Sequence, residues 1–450
     1  MPFRRLRLPP RLLSDGSRNV LSGSFWVIMG AGWSQGSMLL VSLIVANMLG
    51  TSGYGRYALL QSSLIMLALL AQAGFGTVIA QQVSRLRERD PAKAGEVAGF
   101  CFLVTVVISA SFAATLLLGR ESVAEDLFRD AALQRGILLV AAAFPCLALA
   151  YVQMGLFSGL EGFKDQARIS LYASPALIAL PPLGALHYGF EGAILGLAAA
   201  YLVRVVITQL ILSRLLAAHG IRLSLGNLKS QSALLWRFAL PATVSGVMTH
   251  LAIWGGQTLL VRAEGGQSAL GLFAAAFVVK TMVMFIPAQM PAVLLPILSR
   301  YSSSDSTRQW RNLLLAGVAA TVAITGALAT IGILFAAPIM GLFGPEFEAG
   351  KSVLILLLLA TPIEAACLSL LYGLYSESRF WRPILFQSLP VTGTVLVTAA
   401  LLIPAQLANG LAIAWLGGWA MSLIGLTLAL RPLSRSRDRP APAVEAGSHV

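Results

Sequence analysis

Apolar residues run in blocks of about 20 or more along almost the whole chain, with short polar segments between them. Each block is long enough for a helix to cross a hydrocarbon core of roughly 30 Å. The pattern predicts spans near 24–48, 57–83, 97–118, 136–159, 169–187, 190–213, 238–261, 268–298, 312–343, 352–376, 383–404 and 408–430. This is the signature of an all-α integral membrane protein with twelve transmembrane helices. No interval between spans is long enough for a soluble domain.

Composition agrees: 57% of the 450 residues are hydrophobic and 11% are charged, with a mean hydropathy of +0.79. A soluble globular chain carries about 25% charged residues. The apolar run from Ser24 is too long for the core of a signal peptide and lacks a small-residue cleavage site, so it reads as an uncleaved first span. Cys101, Cys146 and Cys367 all lie in apolar runs without metal-ligand spacing, so neither a disulfide framework nor a metal site is expected.

The net charge of +13 raises the question of nucleic acid, and the placement of the basic residues answers it. Intervals on the side of the N-terminus hold 24 of the 32 Lys and Arg residues, and the opposite side holds six: Arg56, Arg120, Arg129, Arg135, Arg262 and Lys351. By the positive-inside rule both termini are expected on the cytoplasmic side of the inner membrane. The basic balance is topological, and no nucleic-acid partner is expected. The organisation is then a basic N-terminus (1–23), a lobe of six spans (24–213), a cytoplasmic linker (214–237), a second six-span lobe (238–430) and a Pro/Ala-rich disordered tail (431–450). The "LLWRFALP" end of the linker reads as a short amphipathic segment.

The halves align weakly on each other. "YGRYALL" (54–60) falls against "LGLFAAA" (270–276) at an offset of 216, and "SRL" (84–86) against "SRY" (299–301) at 215. With six spans each, the halves share an orientation, so a parallel pseudo-repeat is expected. Pro175, Pro181, Pro182, Pro287, Pro291, Pro296 and Pro362 lie within spans and predict bends, since each removes one main-chain hydrogen bond.

Two basic residues remain inside spans, Lys280 and Arg204. Lys280 lies roughly 18–27 Å of helix from either membrane face, beyond the reach of a snorkelling lysine. It is expected to face a cavity. Arg204, about 15 Å along the helix from Arg214, reads either as cavity-facing or as reaching for the interface. Glu364 near the midplane is either a protonatable coupling residue or a counter-ion to one of these cations. In the seventh span Thr243, Gly246, His250, Trp254 and Gln257 form a polar stripe that lines a cavity or packs on neighbours. Gln35, Asn47 and Gln72 are further polar candidates in the first half.

"GPEFEAGKS" (344–352) imitates a phosphate-binding loop, but five residues rather than four separate its glycines and two are glutamates, so ATP chemistry is not expected. No cofactor motif is present in the sequence. A membrane glycosyltransferase or polymerase needs acidic residues on a sizeable outer loop, and Glu121, Glu125, Asp126 and Asp130 on a short loop are the only cluster.

The stretch 46–85, with Leu49, Gly50, Gly53, Tyr54, Gly55, Tyr57, Gly74 and Gly76, resembles the polysaccharide and oligosaccharide flippases of the multidrug/oligosaccharidyl-lipid/polysaccharide exporter superfamily. "QMGLFSGLEGFKDQARISL" (153–171), with Gly155, Gly159, Phe163 and Lys164, and "LFGPEFEAGKSVLILLLLATP" (342–362) are similar to later segments of that family. The resemblance implies a non-enzymatic flippase that moves a polyprenyl-diphosphate-linked oligosaccharide by alternating access, for surface polysaccharide synthesis. It also implies partners among membrane lipids and, as a possibility the family raises, polymerase and assembly proteins. Lys280, Arg204, His250 and Gln257 would then contact the anionic head group, with Glu364 coupling or compensating charge. The alternative is a multidrug/ion antiporter of the same superfamily, whose cationic cargo favours acidic cavities.

Overall fold

The computed structural model describes residues 15–225, 240–290, 298, 307–376 and 382–437. Every regular element among them is helical. The long helices are α1 (Asp15–Gln72), α2 (Phe75–Leu86), α3 (Pro91–Leu118), α4 (Gln134–Gly159), α5 (Phe163–Ala218), α6 (Leu240–Val261), α7 (Gly266–Val283), the short α8 (Phe285–Gln289), α9 (Thr307–Leu334), α10 (Lys351–Ser376) and α11 (Leu389–Arg437).

Three of these are too long for one crossing. At roughly 1.5 Å per residue, α1, α5 and α11 would each exceed twice the thickness of a hydrocarbon core. Each contains a break: Gly50 (φ 65°, ψ −178°) in α1, Tyr188 and Gly189 (φ 60°, ψ −140°) in α5, and Leu407 (φ 47°, ψ −122°) in α11. The chain doubles back at each of them. In α5 a Cβ on Gly184 would meet the Gly192 carbonyl and one on Gly196 the Leu180 carbonyl, the pairing of two antiparallel segments in contact. In α11, Gly418 lies against Val391 and Val395 and Gly425 against Phe386 in the same sense. The breaks fall at the intervals expected between spans, so each of these three helices accounts for two of the expected crossings in an all-helical membrane fold.

Boundaries differ where local chemistry overrides hydropathy. The interval expected between the first two spans is helical from Thr51 on, because one residue with positive φ suffices to reverse the chain. The second span is interrupted at Ala73 and Gly74, both at positive φ, before α2. The ninth helix stops at Leu334; a short helix, Ala336–Gly341, and a turn follow, with Phe343 and Phe347 buried. The helix of α11 runs to Arg437, into the segment expected to be unstructured. The eighth span kinks at Met284, where Pro287 has no N–H for the Val283 carbonyl. Pro291, Pro296 and most of "LLWRFALP" lie outside the described residues.

Apolar side chains point outward as well as inward. Leu118, Leu186, Leu401 and Leu334 are among the most exposed, the surface expected where the solvent is lipid. Inside, one hydrophobic cluster runs through both halves, while a second is confined to the N-terminal half, from α2 to Ile221 just after α5, and includes Phe75, Val83, Phe100, Phe157 and Leu212. We call the end carrying Gly50, Asp130, Gly265 and Glu346 distal, and the end carrying Arg87, Lys164 and Arg214 proximal.

Candidate functional site

The halves meet at the distal end, where the segment of α1 after Gly50 crosses α7. A Cβ on Gly55 would sit 2.0 Å from the Gln267 carbonyl oxygen, and one on Gly271 would sit 2.0 Å from the Thr51 carbonyl oxygen. Only glycine allows backbones this close. The two contacts are reciprocal under the offset of 216: Gly55 corresponds to Gly271 and Thr51 to Gln267. Burial follows the same rule, because Arg56 and Leu272 alone are not buried in 54–60 and 270–276.

Polar side chains lace this crossing shut. Gln267 Nε2 donates to Asp130 Oδ2 at 2.7 Å, and Arg56 Nε donates to the same oxygen at 2.8 Å. Asp130 is 8% exposed, so its carboxylate is held by partners from both halves in place of water. The Arg56 guanidinium also lies over Phe190, 5.6 Å from its centroid. On the other flank, Asn47 Nδ2 donates to the Leu342 carbonyl at 2.7 Å and Thr51 Oγ1 to Glu346 Oε2 at 3.4 Å. Trp254 Nε1 donates across to Ser63 Oγ at 2.9 Å, deeper in the bundle.

The deep charges fall into two unlike settings. Lys280 is 3% exposed and pairs with Glu364 at 2.5 Å inside the C-terminal half. Its ammonium also lies 5.0 Å from the Phe277 centroid and 5.1 Å from the Trp415 ring. A carboxylate and two aromatic faces thus replace the hydration that lipid denies it. The expected open cavity around Lys280 is filled, and Glu364 supplies its counter-charge.

Arg204 differs. It lies within α5 of the N-terminal half, around a cavity of about 20 Å³ lined by the hydroxyl residues Ser34, Ser170, Ser174 and Tyr201 and by the apolar Ala173, Leu177 and Ala200. Its Nε is buried without a hydrogen-bond partner, and among the described residues it forms no ion pair. This volume holds about one water-sized group.

The other expected residues are dispersed. His250 Nδ1 is 3.1 Å from the Gly246 carbonyl of its own helix, and Gln257 is 5% exposed with Oε1 unpartnered. Asn47 is spent in the distal seam, and Gln72 Oε1 accepts the Gly76 N–H at 3.3 Å across the break before α2. Gln35 is half-buried on α1. Sequence reasoning missed the seam residues Arg56, Asp130, Gln267 and Glu346 as a group. The offset that aligned the halves was the available signal, since it pairs Thr51 with Gln267. Among the described residues no three His, Cys, Asp or Glu side chains gather as metal ligands.

Doubled helices, an outward-facing apolar surface and a polar seam between two halves mark a multi-pass membrane protein. A profile of the family described as "polysaccharide biosynthesis protein" matches residues 20–302. The match spans more than half of the chain, which therefore belongs to that family. Solved structures share the fold. One is described as the inward-facing conformation of a multidrug resistance MATE family transporter of the MOP superfamily, at 17% identity and a TM-score of 0.74, covering 93% of this chain and 98% of that one. The outward-facing conformation of such a transporter matches at 17% identity and 0.68, covering 94% and 97%. A MOP superfamily transporter from Pyrococcus furiosus, described as having a binding pocket of reversed polarity that suggests a different function, matches at 16% identity and 0.68, covering 94% and 97%. A search of curated proteins by sequence returned no match.

Proposed function

We propose that this protein is an inner-membrane flippase for a polyprenyl-diphosphate-linked oligosaccharide, working by alternating access for surface polysaccharide synthesis, with Arg204 as the contact for the phosphate of its cargo. The observation that carries this reading is the guanidinium of Arg204, without an ion pair among the described residues, beside a small cavity lined in part by hydroxyls. A cation kept at depth without a carboxylate suits an anionic cargo, and a guanidinium matches phosphate oxygens in geometry as well as charge. A cationic drug would meet repulsion there. The cavity is smaller than a phosphate in this state, so loading requires it to widen as the halves move. The closed distal crossing is the barrier that such movement opens on the far side. His250 and Gln257 on α6 flank the path from the C-terminal half, while Lys280 and Glu364 brace that half from within and take part in coupling, if an ion drives the cycle, as one neutral pair.

The test is flipping of a fluorescent lipid-diphosphate glycan by the full chain in proteoliposomes. Losing a charge-assisted contact worth about 1.5–3 kcal/mol corresponds to a fall of roughly tenfold or more for Arg204→Ala, with Arg204→Lys retaining part of the rate. An unchanged rate in Arg204→Ala overturns the assignment. Proton-driven extrusion of a cationic dye with no glycan flipping would instead establish the drug antiporter.

A further inference from the structure

A second basic site lies on the outside of the N-terminal half. At the proximal end the two antiparallel segments of α5 part to leave an open groove of about 440 Å³. Arg168 and Tyr172 line it from the first segment, and Ile211, Arg214 and Leu215 from the second. Arg168 Nη1 bonds Asp165 Oδ1 at 3.0 Å, which offsets one charge. Arg214 forms no ion pair among the described residues, so the groove keeps a net positive charge.

The surface above the groove is patterned in both charge and hydropathy. The second segment exposes Leu202, Val206 and Leu210, and the next position on that stripe is Arg214. The first segment exposes Arg168 and then Leu171 and Tyr172. Both segments therefore present an apolar strip that ends, at one level, in arginine. A molecule complementary to this surface has an anionic head at the membrane boundary and a long apolar tail directed toward the core. Tyr172 adds a hydroxyl donor at that level, where amphipathic aromatic rings concentrate.

We propose that this groove is a binding site for the phosphate head group of an anionic phospholipid of the proximal leaflet, held between Arg168 and Arg214 with Tyr172 beside it. The site is distinct from the cargo cavity. At 3.6 residues per turn, Arg168 and Tyr172 lie roughly opposite Ser170 and Ser174, which line the Arg204 cavity from the other side of the same segment. A phospholipid seated in the groove backs the wall of that cavity and does not need to be transported.

The test is titration of the full chain in detergent with phosphatidylglycerol or phosphatidylcholine, read as bound lipid by native mass spectrometry. The wild type is expected to retain phosphatidylglycerol in preference to phosphatidylcholine. The double variant Arg168→Gln/Arg214→Gln is expected to lose roughly tenfold or more in apparent affinity, at about fivefold per arginine. Arg120→Gln/Arg135→Gln, which removes the same charge at the distal end, is expected to bind as the wild type does. Equal binding by the groove variant overturns the proposal, and so does an equal loss in the distal control. Undecaprenyl phosphate as competitor distinguishes the occupant: if it displaces phosphatidylglycerol from this groove at far lower concentration, the site serves the carrier lipid and the phospholipid assignment falls. None of these readings depends on glycan flipping.

Discussion

Lys280 and Arg204 began as equivalent anomalies, two cations inside spans, and the fold separates them. What distinguishes them is the company each keeps, and that company comes from distant parts of the chain. Glu364 is 84 positions from Lys280, and Trp415 further still. Sequence showed that both cations were deep but had no means of showing which was neutralised. Removing one member of a buried ion pair leaves the other uncompensated, at a cost of about 3–5 kcal/mol, whereas replacing both with apolar groups is often neutral or better. Lys280→Met and Glu364→Leu should therefore each lower the thermal unfolding temperature of the purified protein. The double variant should recover most of that loss. A double variant that unfolds as early as the worse single one would show that the pair does not act as a unit.

Among the helices, legibility depended on whether a boundary was set by hydropathy or by a single backbone angle. Reversals at Gly189 and Leu407 fell inside expected intervals, because a polar or small residue there coincides with the end of an apolar run. The reversal at Gly50 leaves almost no loop, and hydropathy placed the interval several residues too wide. The stop of α9 at Leu334 was invisible, since the following residues are as apolar as the helix itself: Ala336, Met340, Phe343 and Phe347 turn into the core while Phe335 and Leu342 stay exposed. The crossing of α1 and α7 makes a sharper demand. A methyl group on Gly271 would overlap the Thr51 carbonyl, so Gly271→Val must force these helices apart. Maleimide labelling of Ser52→Cys, added from the distal side of sealed vesicles, should then proceed at least severalfold faster than without the glycine change. Equal labelling rates would show that the crossing yields elsewhere and does not close the distal end.

Across the molecule, the distal seam joins the halves through Gln267 on Asp130, Asn47 on the Leu342 carbonyl and Thr51 on Glu346, with Arg56 holding Asp130 from its own half. Under the alternating access proposed above, the bonds that cross the seam, from Gln267 to Asp130, from Asn47 to Leu342 and from Thr51 to Glu346, break and reform in every cycle. Ser52 Oγ and Gln267 Oε1 stand 3.3 Å apart across the seam. Bridging Ser52→Cys to Gln267→Cys with a short bis-methanethiosulfonate reagent should abolish flipping in proteoliposomes, and reductant should restore it. Undiminished flipping by the bridged protein would place the moving boundary somewhere else.

The reciprocity of Gly55 and Gly271 also bears on how the protein tolerates change over generations. Each glycine is the floor on which the other helix rests, so the two positions constrain each other across the seam. A side chain gained at either one intrudes on the backbone of the other helix. Variation should accumulate along the lipid-facing leucines while this pair stays fixed together or changes together.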